Sequence, residues 1–298
     1  MGSSEAEVPA GGGEALPLEG VPAPTWGGSP SRLTTFLDCP RRYRLVYLDR
    51  PRPERRAQRA HTAVGVTIHN ALRDWWDLSV VDRTPSAGAR LVREGWSDVG
   101  FLDLDQSARH RSAAMRWVAD YLAGVDPHVE PLGVERSVAF VDRTRTLRMF
   151  GRIDRLDDRD GELVVVDYKT GRTPPGEDEA RTSLPLALYA AAVWKMFRRR
   201  CVAVELHHVP SGTVVRHEHT DDSLARKVAQ AGQIATDAGR ADADHARTGS
   251  ESAMFEPNPS PLCRWCDVRA HCPEGQAVGP EHPDWAGLPD LDEADNPA

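Results

Sequence analysis

The chain has 298 residues, of which 40% are hydrophobic and 28% charged, a balance typical of a soluble globular protein with one sizeable core. No apolar run approaches the roughly 18 to 20 residues that span a bilayer, and the N-terminus lacks the features of a signal peptide, so a cytoplasmic protein is expected. The net charge of -8 comes from the two ends, because residues 31–272 hold 37 basic and 34 acidic residues, which excludes a strongly basic nucleic-acid binder but leaves room for local phosphate-binding patches.

The first part of the chain is predicted to be helical after a flexible leader. Residues 1–30 are rich in Gly, Pro, Ala and Glu, without apolar periodicity, and are expected to be disordered. A helix should begin at Ser31 and break at Pro40, before a basic and aromatic stretch. The apolar spacing predicts three further helices at about 62–80, 86–97 and 106–124.

The middle of the chain changes to a β-type pattern. The runs VERSVAFV, TLRMFGRIDRLDD and ELVVVDYKTG predict three strands, with an acidic turn between the last two. A helix through SLPLALYAAAVWKMFRR, two more strands, a polar helix at about 221–241 and a cysteine motif follow. The predicted fold class is α/β, a mixed central sheet flanked by helices. A single domain at 31–273 is expected, with an acidic, disordered tail at 274–298.

Two acids and a lysine carry the sharpest chemical signal, in GRIDRLDD and VVVDYKTG. Asp167 and Lys169 share one face of a strand, and an antiparallel pairing of the two strands brings Asp154 near them. Such a group can hold Mg²⁺ or Mn²⁺ for phosphodiester hydrolysis. The chain has 34 Arg and 3 Lys, so a lysine here suggests a chemical requirement. The alternative is a structural Asp–Lys pair at the end of a buried strand.

These segments resemble motifs of the PD-(D/E)XK nuclease superfamily in its RecB-like exonuclease branch. The resemblance implies a restriction-endonuclease-like fold, metal binding by Asp154 and Asp167, and assistance to hydrolysis by Lys169. The segment VGVTIHNAL matches a further motif of that branch, which makes His69 a metal ligand. Without the resemblance, one histidine on an amphipathic helix is more often a packed or surface residue.

Three more positions are compared with the same branch. Glu135 stands where similar nucleases have a Glu that supports the site, although it also suits a solvent-facing strand position. The branch tends to have a Gln and, four residues later, a Tyr on the helix after D-x-K; here Pro185 replaces the Gln, while Tyr189 is retained. Tyr189 either contributes to the site or packs against the sheet.

Four of the five cysteines form a pattern suited to a metal site. Cys263, Cys266 and Cys272 follow the spacing C-x2-C-x5-C, and Cys39 is the natural fourth ligand, whereas Cys201 reads as a small buried apolar residue. Four thiolates suit zinc or an iron-sulfur cluster equally. The arrangement of one Cys before the acidic motifs and three after them resembles AddB-type and CRISPR-associated RecB-like nucleases, which implies a 4Fe-4S cluster, with Zn²⁺ as the alternative.

The resemblance implies a metal-dependent DNA exonuclease. Single-stranded DNA or DNA ends are the expected substrate, in repair, recombination or defence. Arg41, Arg42, Tyr43 and Arg44 either guide a DNA backbone and stack a base or shield the cysteines. The alternative function is a weakly active or inactive DNA-binding scaffold that partners a separate helicase, which Pro185 favours. The chain itself has no phosphate-loop motif of an ATP motor.

Overall fold

A computed structural model describes residues 26–144 and 146–291. The first described element is a short strand, β1 (Trp26–Gly28), which starts five residues before Ser31, where the sequence predicts that the ordered part begins. Residues 1–25 of the predicted leader lie outside the described residues. The helical part that follows contains α1 (Pro30–Asp38), α2 (Pro40–Tyr43), a π-helical turn (Arg44–Leu48), α3 (Ala60–Trp76), α4 (Pro85–Glu94) and α5 (Leu104–Ala123). The predicted helices are confirmed within a few residues.

The central sheet is mixed, as predicted. Its other strands are β2 (Gly133–Val141), β3 (Leu147–Arg159), β4 (Glu162–Lys169), β5 (Cys201–His208) and β6 (Thr213–Glu218). The order is β1-β3-β4-β5-β6, and β2 also pairs with β3. The pairs β1·β3 and β4·β5 are parallel, whereas β2·β3, β3·β4 and β5·β6 are antiparallel.

The turn between β3 and β4 fixes their register. Arg159 pairs with Glu162, so only Asp160 and Gly161 form the turn, and both have positive φ, 51° and 94°. Asp-Gly is a preferred pair for such a two-residue hairpin turn, because its residues tolerate the left-handed region. The predicted acidic turn is therefore confirmed.

Strand β3 has two different partners along one of its edges. β1 pairs with residues 147–149 and β4 with residues 155–159, while β2 follows the opposite edge from 148 to 156. The stretch from Phe150 to Asp154 consequently lacks a strand partner on the first edge. This gap, which results from the strand order, lies beside the predicted site of Asp154, Asp167 and Lys169, called the acidic site below.

Helices cover the sheet and form two cores. The remaining helices are α6 (Glu177–Thr182), α7 (Leu184–Phe197), α8 (Asp221–Thr248) and α9 (Pro273–Ala277). One core packs α7 and α8 against the sheet around Leu156 and Val204. The other packs α3, α4 and α5 around Val166 and Ile68. Because parallel β4 and β5 are covered on both faces, each contains a continuous apolar run, Leu163–Val166 in β4 and Cys201–Val204 in β5, as expected for strands inside a sheet.

The segment after the cysteine motif differs from the disordered tail that the sequence predicts. Residues 274–291 are described, and Leu288 is buried in the core of α3, α4 and α5. Arg59 pairs with Glu281, and the backbone nitrogen of Ala60 donates to the oxygen of Asp284 at 3.1 Å. The acidic composition of this segment predicts disorder, but arginines of the N-terminal part of the chain form ion pairs with its acids. Residues 292–298 lie outside the described residues.

Across the described ranges, no helix combines the length and the apolar character that crossing a membrane requires.

Candidate functional site

The acidic site lies at the gap in the edge of β3. Beyond the pair Arg155 and Val166, strands β3 and β4 separate, and the side chain of Asp154 fills the opening. Its Oδ2 accepts a hydrogen bond of 2.8 Å from the backbone nitrogen of Tyr168. The Asp154 carboxylate therefore replaces a strand partner and is held in a fixed position by the backbone between Asp167 and Lys169.

Three metal-donor side chains meet at this point. One ligand atom each of His69, Glu135 and Asp154 lie within 4.8 Å of one another. Glu135 is opposite Asp154 in the β2·β3 register and has a φ of 47°, a left-handed conformation that a residue with a side chain seldom adopts. Local backbone strain of this kind tends to occur at functional sites. Of the two interpretations that the sequence allows for Glu135, its position favours support of the site.

Asp167 and Lys169 form an ion pair beside this group. Nζ of Lys169 lies 2.8 Å from Oδ2 of Asp167. Burial raises the pKa of Asp167, and the Asp154 carboxylate adds to the shift, while Lys169 opposes it. Burial disfavours the Lys169 ammonium, but the charge and hydrogen bond of Asp167, together with the charges of nearby acids, outweigh burial and raise the pKa of Lys169. Lys169 is therefore a cation at neutral pH.

Helix α3 brings His69 to the sheet. The apolar face of α3 is buried, and His69 lies at the border of that face, with Nδ1 3.4 Å from Oδ2 of Asp154. Its ring packs edge to face on Tyr168, with the centroids 5.9 Å apart. Burial disfavours the imidazolium, but the hydrogen bond to Asp154 and the charges of the surrounding acids together outweigh burial and raise the pKa of His69. The sequence-predicted His69, Asp154, Asp167 and Lys169 thus converge.

Tyr189 and Pro185 lie on α7. The Tyr189 ring approaches Gly151 so closely that a Cβ there would lie 2.7 Å from its Cε1. Burial, followed by the charges of Asp167 and Asp154, raises the pKa of Tyr189 to about 12. Tyr189 thus packs against β3 and also lies close enough to Asp167 and Asp154 for their charges to shift its pKa. Its position agrees both with packing against the sheet and with a contribution to the site. Pro185 occupies the first turn of α7, where a proline ring fits a helix and a missing N–H costs nothing.

A buried polar network lies beside the site, and sequence reasoning missed it. The Tyr168 hydroxyl accepts a 3.2 Å hydrogen bond from Arg155, which also pairs with Asp157. The contacts continue through Arg159, Glu205, His207 and Tyr121. Arg155 and Asp157 are only 6% and 4% exposed. Their signal in the sequence is the presence of charged residues in a strand that is otherwise buried.

The acidic site fits a hard divalent ion. Carboxylate oxygens are the ligands that Mg²⁺ and Mn²⁺ prefer, and an imidazole is compatible with Mn²⁺. Oδ2 of Asp167 is buried and makes no aligned hydrogen bond within the described part of the chain, despite its ion pair. Lys169 supplies one positive charge beside the three carboxylates of Glu135, Asp154 and Asp167, so a divalent ion would balance the remaining negative charge. His69, Glu135, Asp154 and Asp167 are the side chains that would hold the ion.

The four predicted cysteine ligands come together elsewhere, between the N-terminal helices and the C-terminal segment. Cys39, Cys263, Cys266 and Cys272 line one cavity, with Leu45 and Val268 among its apolar lining. All four are free thiols. Cys201 is far apart in the fold, fully buried in β5, where burial raises its pKa to about 12.

Each of the four thiols receives a backbone N–H. The nitrogens of Arg42, Ser260 and Gly275 each lie 3.4 Å from Sγ of Cys39, Cys263 and Cys272, respectively. The backbone of Val268 serves Cys266 in the same way. Burial raises the pKa of the Cys266 and Cys272 thiols, but these hydrogen bonds favour the thiolate, the form that binds metals, so the chemistry of this donor set fits a metal centre. We call this group of four cysteines the thiol pocket.

The basic and aromatic stretch beside Cys39 requires a correction. Tyr43 has no exposed surface, and its hydroxyl accepts from Trp26 and Arg32 and donates to Asp242 at 2.9 Å, so its ring is not available to stack a base. Arg42 pairs with Asp267 at 3.1 Å. Arg41 donates to the oxygen of Phe255 at 3.0 Å, and Arg44 pairs with Asp49. Of the four residues, Arg41 and Arg42 line the thiol pocket, which favours the shielding interpretation for these two.

Comparisons with known proteins agree with this geometry. No curated protein sequence matches the chain. Among solved structures, the crystal structure of SSO0001 aligns with 13% identity over 70% of this chain and 84% of that chain, with a TM-score of 0.31 that carries no argument. The model of the PD-(D/E)XK nuclease superfamily matches residues 28–273, a range that contains the acidic site and the thiol pocket. The chain therefore belongs to the PD-(D/E)XK nuclease superfamily, and its implied activity is that of a metal-dependent nuclease.

Proposed function

We propose that the chain is a DNA exonuclease of the RecB-like branch that acts in the cytoplasm on single-stranded DNA or DNA ends, in repair, recombination or defence. The observation that carries the proposal is the convergence of His69, Glu135 and Asp154 within 4.8 Å, beside the pair of Asp167 and Lys169. Helix α3 and strands β2, β3 and β4 contribute these residues, so a coincidental grouping is a poor explanation.

The roles of the side chains follow from their charge and position. When Mg²⁺ or Mn²⁺ is bound, it polarises the phosphate and lowers the pKa of a water. Lys169, held beside Asp167, is placed to offset negative charge that develops on the phosphate. Asp154 is held by the backbone of Tyr168, so it keeps its orientation as substrate enters and leaves. The Glu135 carboxylate is suited to coordinate the ion directly or through an ordered water.

A cleavage assay tests this proposal. We expect wild type with Mn²⁺ to degrade a labelled linear single strand, and a covalently closed circular single strand to resist because it has no end. Asp154→Asn and Lys169→Met should each lower the rate by about a thousandfold, since charge stabilisation of the transition state is lost. Asp158→Asn is the matched control, because Asp158 is an exposed carboxylate on the same strand, paired with Arg199. Cleavage that persists in the Asp154 and Lys169 variants would contradict the site.

We further propose that the thiol pocket holds a 4Fe-4S cluster. Zinc bonds of about 2.3 Å would bring four tetrahedral sulfurs within about 3.8 Å of one another. Among the described residues, the thiols do not form a group with all atoms within 4.8 Å, unlike the acidic site, and the wider spacing supports a larger centre. Anaerobic purification followed by a visible spectrum and metal analysis tests this; stoichiometric zinc without iron would favour the alternative.

The scaffold with a helicase partner stays a second candidate because of Pro185. A proline in the first turn of α7 offers no side-chain donor or acceptor to DNA or to Lys169. The assay above separates the two functions, because a scaffold would bind DNA without degrading it. Turnover by the wild type that Asp154→Asn abolishes would exclude the scaffold.

A further inference from the structure

The N-terminal half of β3 carries a row of exposed side chains that the acidic site does not use. Arg148, Phe150 and Arg152 are exposed and alternate with the buried Leu147, Met149 and Ile153. By the same alternation the next residue of the row is Asp154, the metal-site acid. An exposed Arg–Phe–Arg row thus leads along one strand directly to the acidic site.

The neighbouring positions leave this row open. On β2 the residues opposite Arg152 and Phe150 are Ser137 and Ala139, both small and exposed. On β1 the residue opposite Arg148 is Gly27. Phe150 is 48% exposed, an unusual state for a phenylalanine on a strand. The row therefore forms an accessible surface, with no large side chain beside the phenylalanine on the paired strands.

The charge of the row matches a phosphate backbone. Arg148 has no hydrogen-bond or ion-pair partner among the residues that the structure describes. The side chain of Arg152 is 64% exposed, and its Nη1 lies 3.4 Å from Oε2 of Glu135, a residue of the acidic site. The row is therefore physically continuous with that site, and its two guanidinium groups flank an aromatic ring.

We propose that Arg148, Phe150 and Arg152 form a binding track for single-stranded DNA, a proposal that rests on the proposed nuclease function. Arg148 and Arg152 are four residues apart on the strand, about 13 Å, which is comparable to two phosphate spacings in an extended single strand. Arginines bind the phosphates while a base stacks on Phe150, a combination that suits unpaired bases of any sequence. A duplex keeps its bases stacked on each other and has no face to offer Phe150. The track delivers the strand to Asp154 and Glu135.

Equilibrium binding without divalent ions tests the track separately from cleavage. Fluorescence anisotropy with labelled oligothymidylate in EDTA should show Phe150→Ala weakened by about 5- to 150-fold, the range that one stacked base accounts for. Phe150→Trp should restore affinity. Arg148→Gln should make the salt dependence shallower, changing the slope of log K against log salt by about 0.7 for one lost phosphate contact. Duplex binding should not respond to Phe150→Ala.

Two exposed residues elsewhere supply matched controls. Trp285→Ala removes an aromatic ring that is 38% exposed, and Arg226→Gln removes an exposed arginine of α8. Both should bind oligothymidylate as wild type does. Because all substituted side chains are exposed, the melting temperatures should agree. A photoreactive oligonucleotide containing 5-iodouracil should cross-link to Phe150, identified by mass spectrometry of the tryptic peptides.

The outcomes separate the track from the nuclease function. If wild type cleaves DNA but Phe150→Ala and Arg148→Gln bind like wild type, the track is wrong and the nuclease function stands. If wild type fails to cleave but those variants lose single-strand binding, the track stands and the nuclease function fails. A cross-link at Arg41–Arg44, or a Phe150→Ala effect on self-association alone, also overturns the track, the latter because it indicates a protein-docking surface.

Discussion

The acidic site and the thiol pocket are assembled in opposite ways. The acidic site lies on three neighbouring strands and one helix, and its acids are oriented by a backbone hydrogen bond, a strand register and a packed ring. The thiol pocket lies between short helical turns at Pro40–Tyr43, Pro261–Trp265 and Arg269–His271, and its cysteines are separated by up to 233 positions. The acidic site is formed by neighbouring elements of the sheet and one helix, whereas the thiol pocket connects parts of the chain that are distant in sequence.

This difference predicts different tasks for the two proposed metal centres. Removal of an ion from the acidic site should leave the strands, the helix and the register in place, so the expected task of that ion is chemistry. The thiol pocket closes a loop of more than 200 residues, and a cross-link of that length removes much of the conformational freedom of the unfolded chain. The thiol centre should therefore contribute to stability and the acidic centre to catalysis. Three predictions test this contrast.

Loss of a thiol ligand should produce the largest change in stability. By analogy with a disulfide closing a long loop, Cys39→Ser should lower the free energy of unfolding by about 4 to 5 kcal/mol, before any metal-ligand energy is counted. The measurement is denaturant unfolding under anaerobic conditions. Cys201→Ala is the control, since Cys201 is buried but distant from the pocket, and it should leave the metal content unchanged. Equal stability of Cys39→Ser and wild type would remove the structural role from the thiol centre.

A buried polar network should come next. Arg155→Met removes the partner of the Tyr168 hydroxyl and one partner of Asp157, leaving buried polar groups poorly satisfied. Breaking a buried ion pair in this way should cost about 3 kcal/mol. The control Arg199→Met breaks an exposed pair with Asp158 and should cost less than about 1 kcal/mol.

The Arg155 prediction also concerns activity. Because Tyr168 contributes the backbone N–H that holds Asp154, Arg155→Met should reduce cleavage as well as stability. If cleavage and melting temperature both match wild type, the acidic site does not depend on this network, and the strands alone determine its geometry.

Chelation of the ion at the acidic site should produce the smallest change. For a millimolar dissociation constant and 10 mM Mg²⁺, binding stabilises the fold by only about 1.4 kcal/mol, so EDTA should shift the melting temperature slightly while it abolishes cleavage. The exposure to EDTA should be brief, so that the thiol centre stays intact. The iron content is measured before and after the treatment to check this. A large loss of stability with unchanged iron would show that the acidic site is not preorganised.

The sequence was sufficient for the parts of the fold that follow local rules. The periodic helices, the alternating strands, the Asp-Gly turn and the convergence of Asp154 with Asp167 all depend on residues within one hairpin or one helix. The four cysteines were predicted by spacing together with a family resemblance. In the structure they line a common cavity, which a search by pattern alone does not establish.

The remaining features depend on contacts between distant segments. The basic neighbours of Tyr43 suggest an accessible aromatic ring, but the ring is buried and its hydroxyl donates a hydrogen bond to Asp242, 199 positions away. The acidic composition of residues 274–291 suggests disorder, because the arginines that pair with Glu281 and Asp284 lie more than 200 positions earlier. The left-handed backbone conformation of Glu135 is also not predictable from the sequence, because a glutamate seldom has a positive φ.

The segment that ends at Leu291 has a practical consequence for defining the minimal active fragment. The superfamily match stops at residue 273, yet Leu288 is inserted beside α3, and Arg172, three residues after Lys169, donates to the oxygen of Leu288 at 3.2 Å. Trimming at the end of the match would expose an apolar cleft next to the helix of His69 and release the loop that follows Lys169. The segment contacts both the helix of His69 and the loop after Lys169. The smallest active fragment should therefore extend to Leu291.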